Sequence, residues 1–235
     1  MNQMTSPTYP AWPSGFRVNP RVSALSPELI AEFASVPVCH AGDVMGRHTG
    51  SVGLSVFHND LSKVMCGPAV TVRTRPGDNL MIHLAMMMAE PGDVIVIDCG
   101  GDVSTAVIGG LMRTTAVARK LGGFVLDGAL RDVAEWSDGA IPAYAKGAVL
   151  RGPSKEGPGE VNVPVSCAGL AVSPDDLMLG GGDGVICIPA ADAAAVLRLC
   201  RAHAEKEAMI AAKNAQGKLD WDRFNAILRA KGCPV

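Results

Sequence analysis

The sequence predicts a mixed α/β fold, and three observations carry that expectation. Residues 93–132 read as a strand–helix–strand unit. Residues 141–188 hold short strand candidates separated by Pro and Gly turns, and two helices close the chain. Several strands outside the strand–helix–strand pattern, followed by terminal helices, fit a mixed sheet better than a purely doubly wound one.

Taken in order, residues 1–24 hold four of the 16 prolines and no hydrophobic periodicity, and read as an N-terminal arm or partner-wrapping tail. Ser26-Pro27-Glu28 starts a helix, with Ser as cap and Pro at the first helical position, and Leu29, Ile30 and Phe33 fall on one face. His40–Gly46 reads as a second short helical segment, and 48–62 as a loop. Val64–Thr74 alternates as a strand, and Gly67-Pro68 within it suggests an edge or a bulge. Pro76-Gly77-Asp78-Asn79 is a turn that can cap a helix over Leu80–Ala89. Pro91-Gly92 then launches a buried strand, Val94–Asp98. A helix is expected from Ala106 or Gly109 to Leu121, closed by Gly122-Gly123, with the next strand over Phe124–Leu126. Beyond it lie strand candidates at Ile141–Gly147, Val161–Val172, Leu177–Leu179 and Val185–Ile188. The Gly-rich run Gly180–Gly184 reads more simply as a hairpin turn than as a phosphate cradle. A helix over Ala190–Lys213 and an amphipathic helix capped by Asp220 complete the chain. The organisation expected is an arm (1–24), an α/β core (25–188) and a C-terminal helical extension (189–235).

Composition narrows the function. At 48 % hydrophobic and 19 % charged, the chain has the composition of a folded protein, and at 4 % aromatic its core must be built from small and flexible side chains. A net charge of −2 without a basic block argues against nucleic-acid partners. There is no apolar stretch of membrane-spanning length and no apolar signal core in 1–20, so a cytoplasmic location without membrane contact is expected. The seven cysteines show no CxxC or metal-finger spacing and read as reduced, mostly buried small hydrophobes.

The stretch that carries chemistry is Asp127-Gly128-Ala129-Leu130-Arg131-Asp132. An apolar strand runs into it, Gly128 permits a sharp turn, and ligand chemistry in open α/β sheets gathers at the carboxyl ends of strands. Arg131 can hold a carboxylate or keto oxygen with its planar fork, and Asp132 offers a hard oxygen to a divalent metal. A surface Arg and Asp beside the next helix is the plainer reading. Upstream, Gly109-Gly110-Leu111-Met112 opens a helix whose first N–H groups make a ready anion site, unless the glycines only permit close packing. His83, within an apolar helix, reads as a core histidine, and Lys146 and Lys155 as surface lysines rather than Schiff-base nucleophiles.

Five motifs in this order and spacing carry a resemblance: Pro76-Gly77-Asp78-Asn79, Pro91-Gly92-Asp93-Val94, Asp127–Asp132, Val161-Asn162-Val163-Pro164 and Asp183-Gly184-Val185. Over about residues 26–230 the chain resembles the class II 4-hydroxy-4-methyl-2-oxoglutarate / 4-carboxy-4-hydroxy-2-oxoadipate aldolases, in the superfamily of the ribonuclease regulator RraA. The resemblance implies an α/β/β/α sandwich of the swivelling-domain type, Mg²⁺ or Mn²⁺ dependence, and a trimer or hexamer with sites between subunits. It also implies a small-molecule oxo-acid substrate with pyruvate as one product. By position, Arg131 binds the pyruvyl group, Asp132 is the metal ligand, and Leu111 and Met112 supply amide N–H groups to its carboxylate. Glu207 matches an acid that reaches a neighbouring subunit's metal shell; its plainer reading is a solvated helix face. One position departs: the aldolases carry an acid where this chain has Gly110, and Asp102 in the adjacent loop is the candidate stand-in.

The chemistry implied is carbon–carbon cleavage beside a ketone, which needs positive charge at the keto oxygen to receive an enolate. Oxaloacetate decarboxylation passes through the same pyruvate enolate and is an expected side activity. The competing expectations are a regulator that inhibits a ribonuclease through protein contacts, and a different metal-dependent enzyme on the same scaffold. The presence of Asp132 and of the helices from Ala190 onward favours the lyase over the regulator.

Overall fold

The architecture follows from one strand that changes partners. In the computed structural model, which describes residues 15–235, the elements run in chain order as follows. The first half holds β1 (Phe16–Val18), α1 (Pro27–Phe33), α2 (Val38–Val44), β2 (Ser55–Val56), β3 (Met65–Thr74), α3 (Leu80–Met88), β4 (Val94–Asp98), β5 (Ala106–Ile108) and α4 (Gly110–Ala118). The second holds β6 (Gly123–Leu130), α5 (Val133–Trp136), β7 (Ala143–Ala148), β8 (Gly159–Val161), β9 (Val165–Cys167), β10 (Leu170–Val172), β11 (Leu177–Gly181), β12 (Gly184–Ile188), α6 (Ala193–Asn214) and α7 (Trp221–Ala230). The main sheet has the order β1-β8-β3-β4-β6-β7-β2. Its centre, β3-β4-β6-β7, is parallel; β8 runs antiparallel to β3 and parallel to β1, and β2 runs antiparallel to β7. Residues 69–73 of β3 pair with β4, whereas Met65–Pro68 pair with β11. Gly67-Pro68 therefore marks neither an edge nor a bulge but the point where a central strand passes from one partner to another.

Three apolar clusters separate four layers. The sheet face bearing Ile95, Ile97, Phe124 and Leu126 packs under α3 and α4. The opposite face, with Val94, Val96, Val125 and Tyr144, packs on the short strands β9 and β10 and on Met178, Val185 and Cys187 of the β11–β12 hairpin. The outer face of that hairpin, with Leu177, Leu179, Ile186 and Ile188, packs on α1 and α6 through Phe33, Val196, Leu197 and Cys200. The result is an α/β/β/α sandwich with C-terminal helices. Few of these side chains are aromatic, so small residues set the layer spacing. An ideal Cβ on Gly67 would lie 2.0 Å from the Gly92 carbonyl oxygen, and one on Gly122 would lie 2.3 Å from the same atom.

Local signals work where expected. The Ser26 hydroxyl accepts from Leu29 N–H at 3.2 Å, and Asp220 accepts from Arg223 N–H at 3.1 Å. Gly182-Asp183 joins β11 to β12 as a two-residue hairpin loop. Of the seven cysteines, which form no disulfide, Cys39 and Cys233 are exposed; burial pushes the Cys66 thiol up to about 12.

Several boundaries differ, for identifiable reasons. Ala106–Ile108 is not helical: it forms β5 beside the end of β6, so the following helix begins at Gly110 and ends at Ala118. Gly128 makes no turn, because β6 continues to Leu130 and the register against β7 slips between Leu126 and Ala129, a bulge at Asp127-Gly128. The last long helix opens with a 3₁₀ turn at Ala190–Asp192. Part of the expected arm is sheet: Phe16–Val18 pairs with β8, and Arg21 makes a two-pronged pair with the buried Asp93 at 2.6 and 2.8 Å. Residues 1–14 lie outside the described residues. No helix of the described residues is long and apolar enough to cross a membrane.

Candidate active site

The Asp127-Gly128 bulge decides where the charged residues go. Asp98 and Asp127 sit in register on neighbouring strands and face the β-layer side. There Lys146 reaches Asp127 at 2.6 Å and Arg73 reaches Glu160 at 2.5 Å and Asp98 at 3.7 Å, forming a row of alternating pairs across strand ends. Lys146 is thus a half-buried partner of Asp127 rather than a free surface lysine. Beyond the bulge, Arg131 and Asp132 emerge beside the start of α4.

Three hydrogen bonds pin that pair. Arg131 N–H donates to Ile108 O at 3.0 Å, and the indole N–H of buried Trp136 donates to Arg131 O at 2.9 Å. Trp136 itself is held edge-on against Phe124, with ring centroids 5.6 Å apart. Gly110 N–H donates to Asp132 Oδ2 at 2.8 Å. Asp132 also adopts a left-handed backbone (φ 61°, ψ 44°), a conformation an aspartate enters at some cost and keeps only when its surroundings impose it. Its carboxylate is 40 % exposed and lies 3.7 Å from Arg131 Nε, so one oxygen edge stays open to a ligand.

Arg131 and Asp132 border a cleft whose floor is Val107, Ile108 and Gly109. The first intrahelical bond of α4 runs from Arg113 N–H to Gly109 O at 3.0 Å, which leaves Leu111 and Met112 N–H as unpaired donors at the helix start. Leu111 has its side chain in solvent at 87 % exposure, so nothing of its own covers those amides. The sequence-predicted residues Gly109, Leu111, Met112, Arg131 and Asp132 are therefore brought together, with Gly110 immediately beneath them.

Two further side chains line the cleft. His83, expected in the core, is half-buried and lines it; Lys155 is exposed, as expected of a surface lysine, and borders the cleft as well. Burial and the Lys155 charge hold the His83 imidazole below its ordinary value, so it is neutral at pH 7. Asn79, one helical turn before His83 on α3, is buried and donates to Val107 O at 3.0 Å, while its Oδ1 has no partner. The i, i+4 spacing of Asn79 and His83 in an otherwise apolar helix was the available signal. Lys155 is positioned by Asp78, whose buried carboxylate accepts from Leu80 N–H, Ser154 Oγ–H, Glu156 N–H and Gly157 N–H at 2.7–3.1 Å. Burial would raise the Asp78 pKa, but these hydrogen bonds outweigh it and leave the group below its ordinary value.

Asp102 is not the acid beside Gly110. β5 separates its loop from α4, and its carboxylate is engaged by Ser104 N–H at 3.2 Å and Ser104 Oγ at 3.0 Å. Glu207 lies apart from this cleft, on α6. His40 Nε2 is 2.8 Å from Glu207 Oε2, and His203 Nε2 stands 3.3 Å from Asp43 Oδ2 and 3.4 Å from Glu207 Oε1. Ligand atoms of Asp43, His203 and Glu207 all lie within 4.8 Å of one another, a set able to hold a cation. The i, i+3 spacing of His40 and Asp43 and the i, i+4 spacing of His203 and Glu207 place each pair on one helix face.

The Arg–Asp pair also fits a hard divalent cation. An ideal Cβ on Gly109 would lie 2.6 Å from Asp132 Oδ2 and 3.0 Å from Arg131 Cγ, so only a bare backbone lets the carboxylate sit here. One free carboxylate edge with solvent around it suits Mg²⁺ or Mn²⁺, which keep several waters, better than a soft metal.

A sequence profile of the RraA-like family, described as Aldolase/RraA, matches residues 37–187. The chain belongs to the RraA-like family. It is 37 % identical over 162 residues to a Halalkalibacterium halodurans protein provisionally named 4-hydroxy-4-methyl-2-oxoglutarate aldolase, covering 69 % of this chain and 77 % of that one. It is 33 % identical over 112 residues to the Thermus thermophilus 4-hydroxy-4-methyl-2-oxoglutarate aldolase, covering 48 % and 68 %. Among solved structures, the RNA-processing inhibitor RraA of Thermus superposes with a TM-score of 0.60 at 27 % identity, over 66 % of this RraA-like chain and 93 % of that one. A Pseudomonas syringae protein superposes with a TM-score of 0.72 at 23 % identity, over 84 % and 97 %, and shares the fold.

Proposed function

We propose that this RraA-like protein is a lyase that depends on a divalent metal and cleaves a 4-hydroxy-2-oxo acid to pyruvate and a second oxo acid by retro-aldol chemistry. Oxaloacetate decarboxylation is its side activity. The observation that carries this reading is the pinned Arg131–Asp132 pair facing two unpaired amide donors. The pyruvyl carboxylate binds the Leu111 and Met112 N–H groups at the positive end of α4. Arg131 directs its guanidinium to the keto oxygen, where negative charge grows as the carbon–carbon bond breaks. Asp132 would hold Mg²⁺ or Mn²⁺, which would supply Lewis-acid stabilisation of that charge, worth several kcal/mol. Lys155 receives a second carboxylate at the far end of the cleft, and the unpartnered Asn79 Oδ1 and neutral His83 accept hydrogen bonds from substrate hydroxyl groups.

The protein works as a cytoplasmic homo-oligomer, a trimer or hexamer, with the cleft at a subunit interface. Supporting this, exposed Leu111, Val133 and Leu150 surround the Arg131–Asp132 pair at 87, 43 and 89 % exposure, and α7 buries none of its residues. Glu207 serves a neighbouring subunit's site in that assembly.

The test is pyruvate release from 4-carboxy-4-hydroxy-2-oxoadipate, 4-hydroxy-4-methyl-2-oxoglutarate and oxaloacetate, with Mg²⁺, Mn²⁺ or chelator, in wild type and Asp132→Ala. Metal-dependent release that disappears in Asp132→Ala supports the lyase. Absence of release from all three with metal still bound points to another reaction on this scaffold. Absence of both release and metal binding favours a protein-binding role like that of the structurally similar inhibitor.

A further inference from the structure

We infer that Glu135 is the second carboxylate of the Arg131–Asp132 site, delivered over Gly110 from α5. The inference rests on the lyase reading, in which Asp132 holds a divalent cation. An ideal Cβ on Gly110 would lie 2.2 Å from Glu135 Oε2, 2.5 Å from its Cδ and 2.6 Å from Oε1. The Glu135 carboxylate therefore occupies the volume that any side chain at position 110 would enter. Gly110 has no positive φ, so its backbone conformation does not require glycine. What a side chain at 110 would have to push aside is the exposed end of Glu135.

Two carboxylates thus converge on one residue. Asp132 Oδ2 accepts from Gly110 N–H at 2.8 Å, while Glu135 lies against the Gly110 Cα. The two acids are three residues apart at the start of α5, joined by a bond from Glu135 N–H to Asp132 O at 2.9 Å. Arg131 Nε stands 3.7 Å from Asp132 Oδ2, and no cationic side chain of the described residues pairs with Glu135. Two negative charges on either side of one backbone amide favour a cation nearby, and Arg131 together with the positive start of α4 supplies part of that charge. Asp132 would hold a divalent cation by its open edge, and the Glu135 charge would raise the site's affinity for it. The acid missing at position 110 is thereby replaced from the opposite side of the same backbone, so that a glycine at 110 and a glutamate at 135 form one unit.

The experiment measures Mn²⁺ affinity of the full-length protein by calorimetry, with melting temperature and metal-dependent pyruvate release alongside. Glu135→Gln, which removes only the charge, is expected to weaken Mn²⁺ binding at least tenfold without lowering the melting temperature. Gly110→Ala, which pushes the flexible Glu135 end aside, should weaken it similarly. Gly110→Asp combined with Glu135→Ala, which returns one carboxylate from the other side, should recover binding to within about threefold of wild type. Wild-type Mn²⁺ affinity in Glu135→Gln, with affinity lost in Asp132→Ala, overturns the role of Glu135 and leaves the lyase reading standing. A lowered melting temperature at unchanged affinity does the same, since it makes Glu135 a helix cap. Unchanged affinity in Asp132→Ala as well overturns both.

Discussion

Gly109→Ala is a one-atom test of whether the Arg131–Asp132 geometry matters. Gly109 has an extended backbone (φ −161°, ψ −170°) that any residue adopts, so the substitution strains nothing locally. Its new Cβ would nevertheless meet Asp132 Oδ2 at 2.6 Å, Arg131 Cγ at 3.0 Å and Arg131 Nε at 3.2 Å. Ordinary contact begins near 3.4 Å, so the carboxylate must retreat by about 0.8 Å, out of its 2.8 Å bond with Gly110 N–H. A charge-assisted bond of this kind contributes about 1.5–3 kcal/mol, and a misplacement of about 1 Å in an active site costs about 10²-fold in rate. The expected result is a fall in kcat/KM for pyruvate release of about 30- to 300-fold, or roughly 2–3.4 kcal/mol in transition-state stabilisation. The melting temperature should stay within about 2 °C, because the loss of backbone freedom in the unfolded chain offsets part of the crowding. Gly152→Ala provides the contrast. Its Cβ would meet only Arg131 Nη1, at 2.7 Å, the far end of a flexible side chain, so it should raise KM while leaving metal affinity unchanged. Wild-type kcat/KM and metal affinity in Gly109→Ala would refute the assignment of this pair as the reacting centre.

Three further outcomes follow from the scaffold. Gly67→Ala would place a Cβ 2.0 Å from the Gly92 backbone oxygen, which no rotamer change relieves. A cost of about 3 kcal/mol, at about 2–4 °C per kcal/mol, should lower the melting temperature by about 6–12 °C, and an unchanged value would show that the sheet gives way there. His58 is 2 % exposed, accepts from Ala143 N–H through Nδ1 at 3.3 Å and is held by burial below its ordinary pKa. The unfolded chain therefore binds the proton first, and stability should fall as pH drops through about 6.5 and continue falling toward the lower folded value. His58→Asn, which keeps an acceptor but does not titrate, should flatten that slope in thermal melts at pH 5–8; an unaltered slope would place its origin elsewhere. Finally, α7 leaves Trp221, Phe224 and Ile227 at 65, 51 and 46 % exposure. Phe224→Asp with Ile227→Asp should reduce the mass seen by light scattering, and an undiminished oligomer would mean that α7 packs on nothing.

Which features were legible in the sequence depended on how far the determining interaction reaches along the chain. Ser26-Pro27 and Asp220 announce their helices because a cap acts on N–H groups within three residues. The β4–α4–β6 order was readable because a βαβ unit is local in sequence. β5 was not legible because three residues, Ala106–Ile108, are too short a run to separate from the helix that follows, although Val and Ile favour strands; pairing with the end of β6 decides it. The Gly128 bulge was not legible as one because an isolated glycine in a strand run fits a turn or a bulge, and only the register against β7 decides between them. At the site, Arg131 and Asp132 stood out as an adjacent charged pair, and Leu111 and Met112 through a Gly-rich helix start. His83 was misassigned because an apolar helix facing a core and one bordering a cleft share the same pattern. Lys155 reaches the cleft only through the Asp78 hydrogen bonds to residues 154–157, a long-range tie with no periodicity to betray it.

The same reasoning explains why glycine is concentrated at the site. Gly109, Gly110 and Gly152 all have backbones that other residues adopt, yet each would put a Cβ against a charged group: Asp132, Glu135 and Arg131 respectively. Turn chemistry does not account for them. Close approach of side chains to bare backbone does, and it lets the Asp132 carboxylate be hydrogen-bonded by the Gly110 amide while an edge remains open. A side chain at any of these positions must displace the group it meets, so the three glycines are as specific to the chemistry as the charged residues they admit.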